Sequence, residues 1–185
     1  MGLDMFLKKK HYVGAQWEHR KVTGKIEVQI NGKPLNINFN NVTNIEEEVA
    51  YFRKANHIHN WFVQNVQDGV DNCGEYYVSI EDVKQLLSDC KAVVESLENS
   101  KMKDVEVTVG FSKDGDITED IPVFTNVDVA EELLPSTSGF FFGSTNYDRY
   151  YLDQTKYTIE VLESILNDLD SEGYLPYDIY YSSSW

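Results

Sequence analysis

Leu3, Met5 and Leu7 alternate with other residues at the head of the chain, and this spacing predicts a strand through "GLDMFLKKKHYV". Further on, Ile26, Val28 and Ile30 alternate with polar residues, "NG" follows, and Leu35, Ile37 and Phe39 resume the alternation. That pattern predicts a β-hairpin. The apolar spacing then changes to steps of three, four and seven at Ile45, Val49, Phe52, His59, Val63 and Val66, with Asn56 completing the stripe. Thr43 and Glu46 stand at capping-box spacing, so a long helix is predicted from residue 43 to about 67. "QDGVDNCG" ends it, "EYYVSI" reads as a short strand, and Ser79 caps a second helix running to about Leu97. Val83, Leu86, Leu87, Cys90, Val94 and Leu97 form the core face of that helix.

Val105, Val107 and Val109 begin a second hairpin that turns at "KDGD", and "VAEELLP" is a short helix stopped by Pro135. A third long helix is predicted from about Tyr147 to Leu169, aromatic on its early face and aliphatic later, with Gly173 shortly beyond its end. The tail "YLPYDIYYSSSW" is β-like and is predicted to dock as an edge strand or to form a recognition surface. Separated hairpins with helices between them predict an α+β fold: a mainly antiparallel sheet packed with three main helices, in a single domain over residues 1–185.

Composition narrows the function classes. The net charge is −15, and residues 114–185 hold fifteen acids against Arg149 and Lys156, whereas residues 1–25 hold six basic and two acidic side chains. Phosphate binding needs basic side chains, so direct nucleic-acid contact and anionic membranes are disfavoured. The acidity serves solubility, or it imitates a phosphate backbone and attracts a basic, nucleic-acid-binding protein. No stretch approaches the roughly 20 apolar residues a membrane helix needs. Cys73 and Cys90 stand without a CxxC motif, which points to a reducing cytoplasm and two small buried side chains.

Four places carry candidate chemistry. "GFFFGST" offers helix N-terminal N–H groups to an anion, but it lacks the lysine of a nucleotide-binding P-loop. Ser144, Thr145 or Asn146 can cap the third helix without any ligand, beside Tyr147, and the phenylalanines are expected to anchor the turn in the core, at least two of them buried. "RKANHIHNWF" places Arg53, His57, Asn60 and Gln64 along one helical face and turns Asn56 and His59 toward the core. His57 and His59 are two apart, the wrong spacing for helical zinc ligands, so no metal and no cofactor is expected. Asp71 and Glu75 lie in an acidic loop that lacks the calcium-loop series. Tyr181 and Trp185 complete the candidates at the C-terminus.

"MGLDMFL", "RKANHIHNWFVQNVQDGVDNCGEYYVS", "LLPSTSGFFFGSTNYDRYY" and "YYSSSW" together resemble a widespread group of small phage and prophage proteins. The resemblance implies a phage-encoded accessory protein acting in the cytoplasm of a bacterial host, and it brings no catalytic residues with it. The leading expectation is a non-enzymatic counter-defence inhibitor that binds a basic or nucleic-acid-binding host protein, a nucleic-acid-guided nuclease included. A second is a sponge holding a nucleotide between the phenylalanine turn and Arg53. The third is a phosphoester or nucleotide enzyme using His57 or His59 with Asp71 or Glu75, or a Cys73 thiol beside one of these histidines.

Overall fold

The computed structural model describes residues 2–14, 27–38, 41–113 and 115–185. The fold is α+β with antiparallel sheets, as the alternation predicts. Its main sheet holds β1 (Asp4–Tyr12), β4 (Asn44–Arg53), β5 (Glu75–Val78) and β8 (Asp178–Ser184) in the order β4-β1-β8-β5. Met5 and Leu7 of β1, Ala50 and Phe52 of β4, and Ile179 and Tyr181 of β8 point to one face and are buried. Against that core pack α1 (Asn56–Asn65), α2 (Ile80–Glu98), α3 (Asp128–Leu133) and α4 (Arg149–Leu166).

The first hairpin is present but short, with β2 (Gln29–Ile30) and β3 (Lys33–Pro34) joined through Asn31 and Gly32, both at positive φ. Ile26 and Phe39, expected at its outer ends, lie outside the described residues, as does Asp114 of the second turn. The second hairpin, β6 (Met102–Ser112) with β7 (Gly115–Phe124), is longer than predicted.

Three expectations are corrected. The helix predicted over 43–67 is a strand followed by a helix: β4 occupies its first half and α1 its second, with Lys54 between them at φ 58. The residues of β4 satisfy both periods, since Ala50 and Phe52 alternate inward while Ile45, Val49 and Phe52 keep helical steps. Pairing with β1 decides between them, because Lys8, Lys9 and Lys10 stand opposite Glu48, Glu47 and Glu46. Consequently Arg53 ends a strand and shares no helical face with His57, and His57 itself is buried.

The second correction concerns the tail, which docks as β8 but inside the sheet, between β1 and β5, rather than at an edge. Third, α4 is capped by Asp148, whose carboxylate accepts from the Tyr151 N–H at 3.0 Å, and not by Ser144, Thr145 or Asn146. Asp148→Ala is therefore expected to lower stability by about 1 kcal/mol and Thr145→Ala by less than half of that, as chemical denaturation will show. The second helix follows prediction: Ser79 and Asp82 form a reciprocal capping box at 3.1 and 2.9 Å.

Among the described residues no helix is long and apolar enough to cross a membrane. Cys73 and Cys90 are both free, and Cys73 is exposed rather than buried. Burial pushes the Cys90 thiol pKa upward.

Candidate functional site

Seven of the ten residues of α1 are buried, among them Asn56, His57 and His59. A buried polar group must find partners or it costs about 1–3 kcal/mol. Asn56 finds three: its Nδ2 donates to the carbonyls of Phe142 (3.2 Å) and Ser144 (2.7 Å), and its Oδ1 accepts from the Thr137 N–H (3.2 Å). One side chain thereby ties both legs of the phenylalanine turn to α1.

The turn's two glycines have separate reasons. A Cβ on Gly139 would meet the Phe142 ring at 2.6 Å, and Gly143 adopts φ 88. The Phe142 N–H donates to the Gly139 carbonyl while Phe141 holds φ 74, which is a type II turn with a phenylalanine where glycine is usual. Only Phe142 is buried, whereas Phe140 is 82% and Phe141 41% exposed. The expectation that two rings anchor the core is therefore corrected. A two-residue turn tip cannot send successive side chains into one core, and Phe140 and Phe141 pack edge to face on each other instead, with centroids 4.2 Å apart.

His59 sits at the centre of a hydrogen-bonded chain. Its Nε2 is 3.0 Å from Asp71 Oδ2, and its Nδ1 is 2.7 Å from the buried Tyr181 hydroxyl. Asp71 Oδ1 accepts from the Trp185 indole N–H at 3.0 Å. Both ring nitrogens of His59 are thus engaged, and neither is free for a substrate. The chain fixes the orientation of the Trp185 ring, which remains 48% exposed. Phe62 stacks on Tyr181 at 4.0 Å and 11° and holds that end rigid.

These groups wall a cleft of about 370 Å³ between α1, the phenylalanine turn and the C-terminus. Asp71 and His59 lie at its base, Asn60, Gln64 and Thr137 offer polar groups, and Phe140, Phe142 and Trp185 offer aromatic faces. Among the described residues Asp71 is the only charged side chain in the lining. The cleft thus suits a neutral or cationic group and repels a phosphate.

Of the residues singled out from sequence, His59, Asn60, Asp71 and Trp185 line the cleft and Tyr181 supports it from beneath. Asn56 and Ser144 hold the turn. The others stand apart from it. Arg53 pairs with Asp4 at 3.2 Å, Glu75 pairs with Lys10 on the outer sheet face, and Thr145 is exposed. Tyr147 accepts from the Ser136 N–H at 3.4 Å and packs on Tyr151. His57 is sealed in the core, its Nε2 3.1 Å from Thr155 Oγ1, and burial lowers its pKa to about 3. Thr137, Ser138 and Val63 are site residues that sequence reasoning missed; they carry no charge or unusual pattern that would mark them. Among the described residues no group of three His, Cys, Asp or Glu is placed to hold a metal ion.

No protein-family model, curated protein or solved structure matches the chain.

Proposed function

We propose that this chain is a phage-encoded accessory protein that works by binding: a non-enzymatic counter-defence inhibitor, active in the cytoplasm of a bacterial host, that captures a basic host protein. In this reading the cleft receives an arginine or lysine side chain of the partner between Phe140 and Trp185, above the Asp71 carboxylate. The observation that carries it is the lining of the cleft, where exposed aromatic rings flank one carboxylate and, among the described residues, no basic side chain is present. A cation over an aromatic face gains about 0.5–2 kcal/mol, more as water is excluded.

Neither of the other readings gains an observation. Arg53 does not line the cleft, so a nucleotide held there would meet Asp71 with no cation opposite its phosphates. His59 has both nitrogens committed, and His57 is enclosed.

The test is affinity for an arginine-rich peptide, measured by calorimetry on the intact chain. Phe140→Ala and Trp185→Ala are each expected to weaken binding by about tenfold with nearly unchanged melting, because each removes one cation–π face. Raising salt from 0.05 to 0.5 M should weaken it further, since exposed charges are screened within about 8 Å at physiological ionic strength. Affinity that ignores both substitutions would remove the cleft from the proposal.

A further inference from the structure

β4 is an outer strand of the sheet, paired among the described residues only with β1. Every second residue of such a strand turns its N–H and C=O away from the sheet. One end of this edge is covered, since the Tyr150 hydroxyl donates to the Arg53 carbonyl. Residues 44–48 are exposed. Between the pairs Leu7–Ala50 and Lys8–Glu48 a β-bulge leaves Val49 with no partner in β1, which strengthens the local twist and turns the strand beside α4.

A cavity of about 410 Å³ opens there between β4 and α4. Its apolar lining is Val49, Tyr157, Val161 and Ile165, and its exposed carboxylates are Glu47, Glu48 and Glu160. Lys9 also lines it, but its ammonium is held 2.7 Å from Asp168 and lies 4.5 Å from the Tyr177 ring centroid. Glu48 and Glu160 have no ion-pair partner among the described residues, and the His11 imidazole Nε2 lies 3.7 Å from Glu47 Oε2.

We infer that the free edge of β4 and the cavity beside it form a strand-addition site for an extended segment of a partner protein in which lysine or arginine alternates with apolar residues. Side chains of an added strand point alternately to the two faces of the sheet. On the α4 side they meet Val161 and Tyr157, and at the rim of the cavity the alternate side chains run past Glu48, whose cross-strand partner Lys8 already serves Glu46. The same carboxylates exclude a second copy of this chain, because an antiparallel β4 would set glutamates against glutamates. The site shares no residue with the aromatic cleft and does not rest on it.

The probe is an end-capped nine-residue peptide of alternating lysine and valine, titrated into the full chain and followed by amide shifts and hydrogen exchange in NMR. Saturable binding is expected, with new protection at alternate amides of residues 44–49 and shifts at Val161. Glu48→Lys combined with Glu160→Lys should weaken it about tenfold or more, both positions being exposed and remote from the core. Methylating alternate peptide nitrogens keeps every charge and side chain but removes the ladder hydrogen bonds, and it should abolish binding. Equal affinity of the methylated peptide, shifts confined to other surfaces, absence of saturation, or amides already protected in the free chain would each overturn the inference. Trp185→Ala should leave this peptide's affinity unchanged. If that substitution abolishes binding, the peptide sits in the cleft, and the edge site fails while the cleft reading stands.

Discussion

Asn56→Ala is expected to lower the unfolding free energy by about 3 kcal/mol or more, the largest single loss among the polar residues of the site. The substitution leaves the carbonyls of Phe142 and Ser144 and the N–H of Thr137 without their partner, and the side chain it removes is only 2% exposed. An orphaned buried group costs about 1–3 kcal/mol, and water can enter from the exposed side of the turn to recover part of the sum. The loss should appear as a shift of the urea midpoint with an unchanged slope. Arg53→Ala, by contrast, should leave the urea midpoint nearly unchanged, because its pair with Asp4 is exposed. The two residues stand three apart in sequence and differ in outcome because one is enclosed and the other solvated. A loss below about 1 kcal/mol for Asn56→Ala would mean that the turn is not held by α1, and the walls of the cleft would then lack their anchor.

Stability is expected to fall as pH drops below 6.5, with a component traceable to His57. Complete burial lowers its pKa from 6.5 to about 3. The Thr155 hydroxyl donates to the Tyr151 carbonyl at 2.8 Å, so His57 donates to Thr155 from Nε2, and burial keeps the ring neutral in the fold. Because the folded pKa lies below the unfolded one, the unfolded chain takes up the proton first. The contribution is complete above pH 6.5 and is lost as pH falls toward 3. Through most of that window the slope approaches one proton, about 1.4 kcal/mol per pH unit. Asp168 is held below its ordinary 3.8 by Lys9 and Tyr177, and Glu46 below 4.5 mainly by Lys8, so both add losses of the same sign at lower pH. His57→Gln should flatten the profile between pH 6.5 and 4.5 whatever its effect on absolute stability. Urea unfolding of both proteins across that interval decides it, and parallel profiles would show that His57 is not the group responsible.

Local pattern by itself determined much of this protein. Alternation marked β1, because a strand with one buried face repeats every two residues, and turn residues between alternating runs marked both hairpins. The capping box at Ser79 and the apolar stripe after it marked α2, because both interactions close within one helical turn. The net charge of −15 likewise needed no fold to disfavour phosphate-bearing partners. Residues 44–53 were not legible in the same way, since a set of apolar positions that satisfies periods of two and of three or four at once is decided only by what lies beside it. That neighbour is β1, roughly forty residues earlier in the chain, with lysines placed against the glutamates. Tertiary structure also decided that β8 lies inside the sheet, because strand order depends on which edges remain open after the other strands pair. It decided which phenylalanine is buried, because Asn56 fixes the turn from another element. The cleft arises from the same cause: His59, Asp71, Phe140 and Trp185 come from segments far apart in sequence, and no local spacing records their convergence.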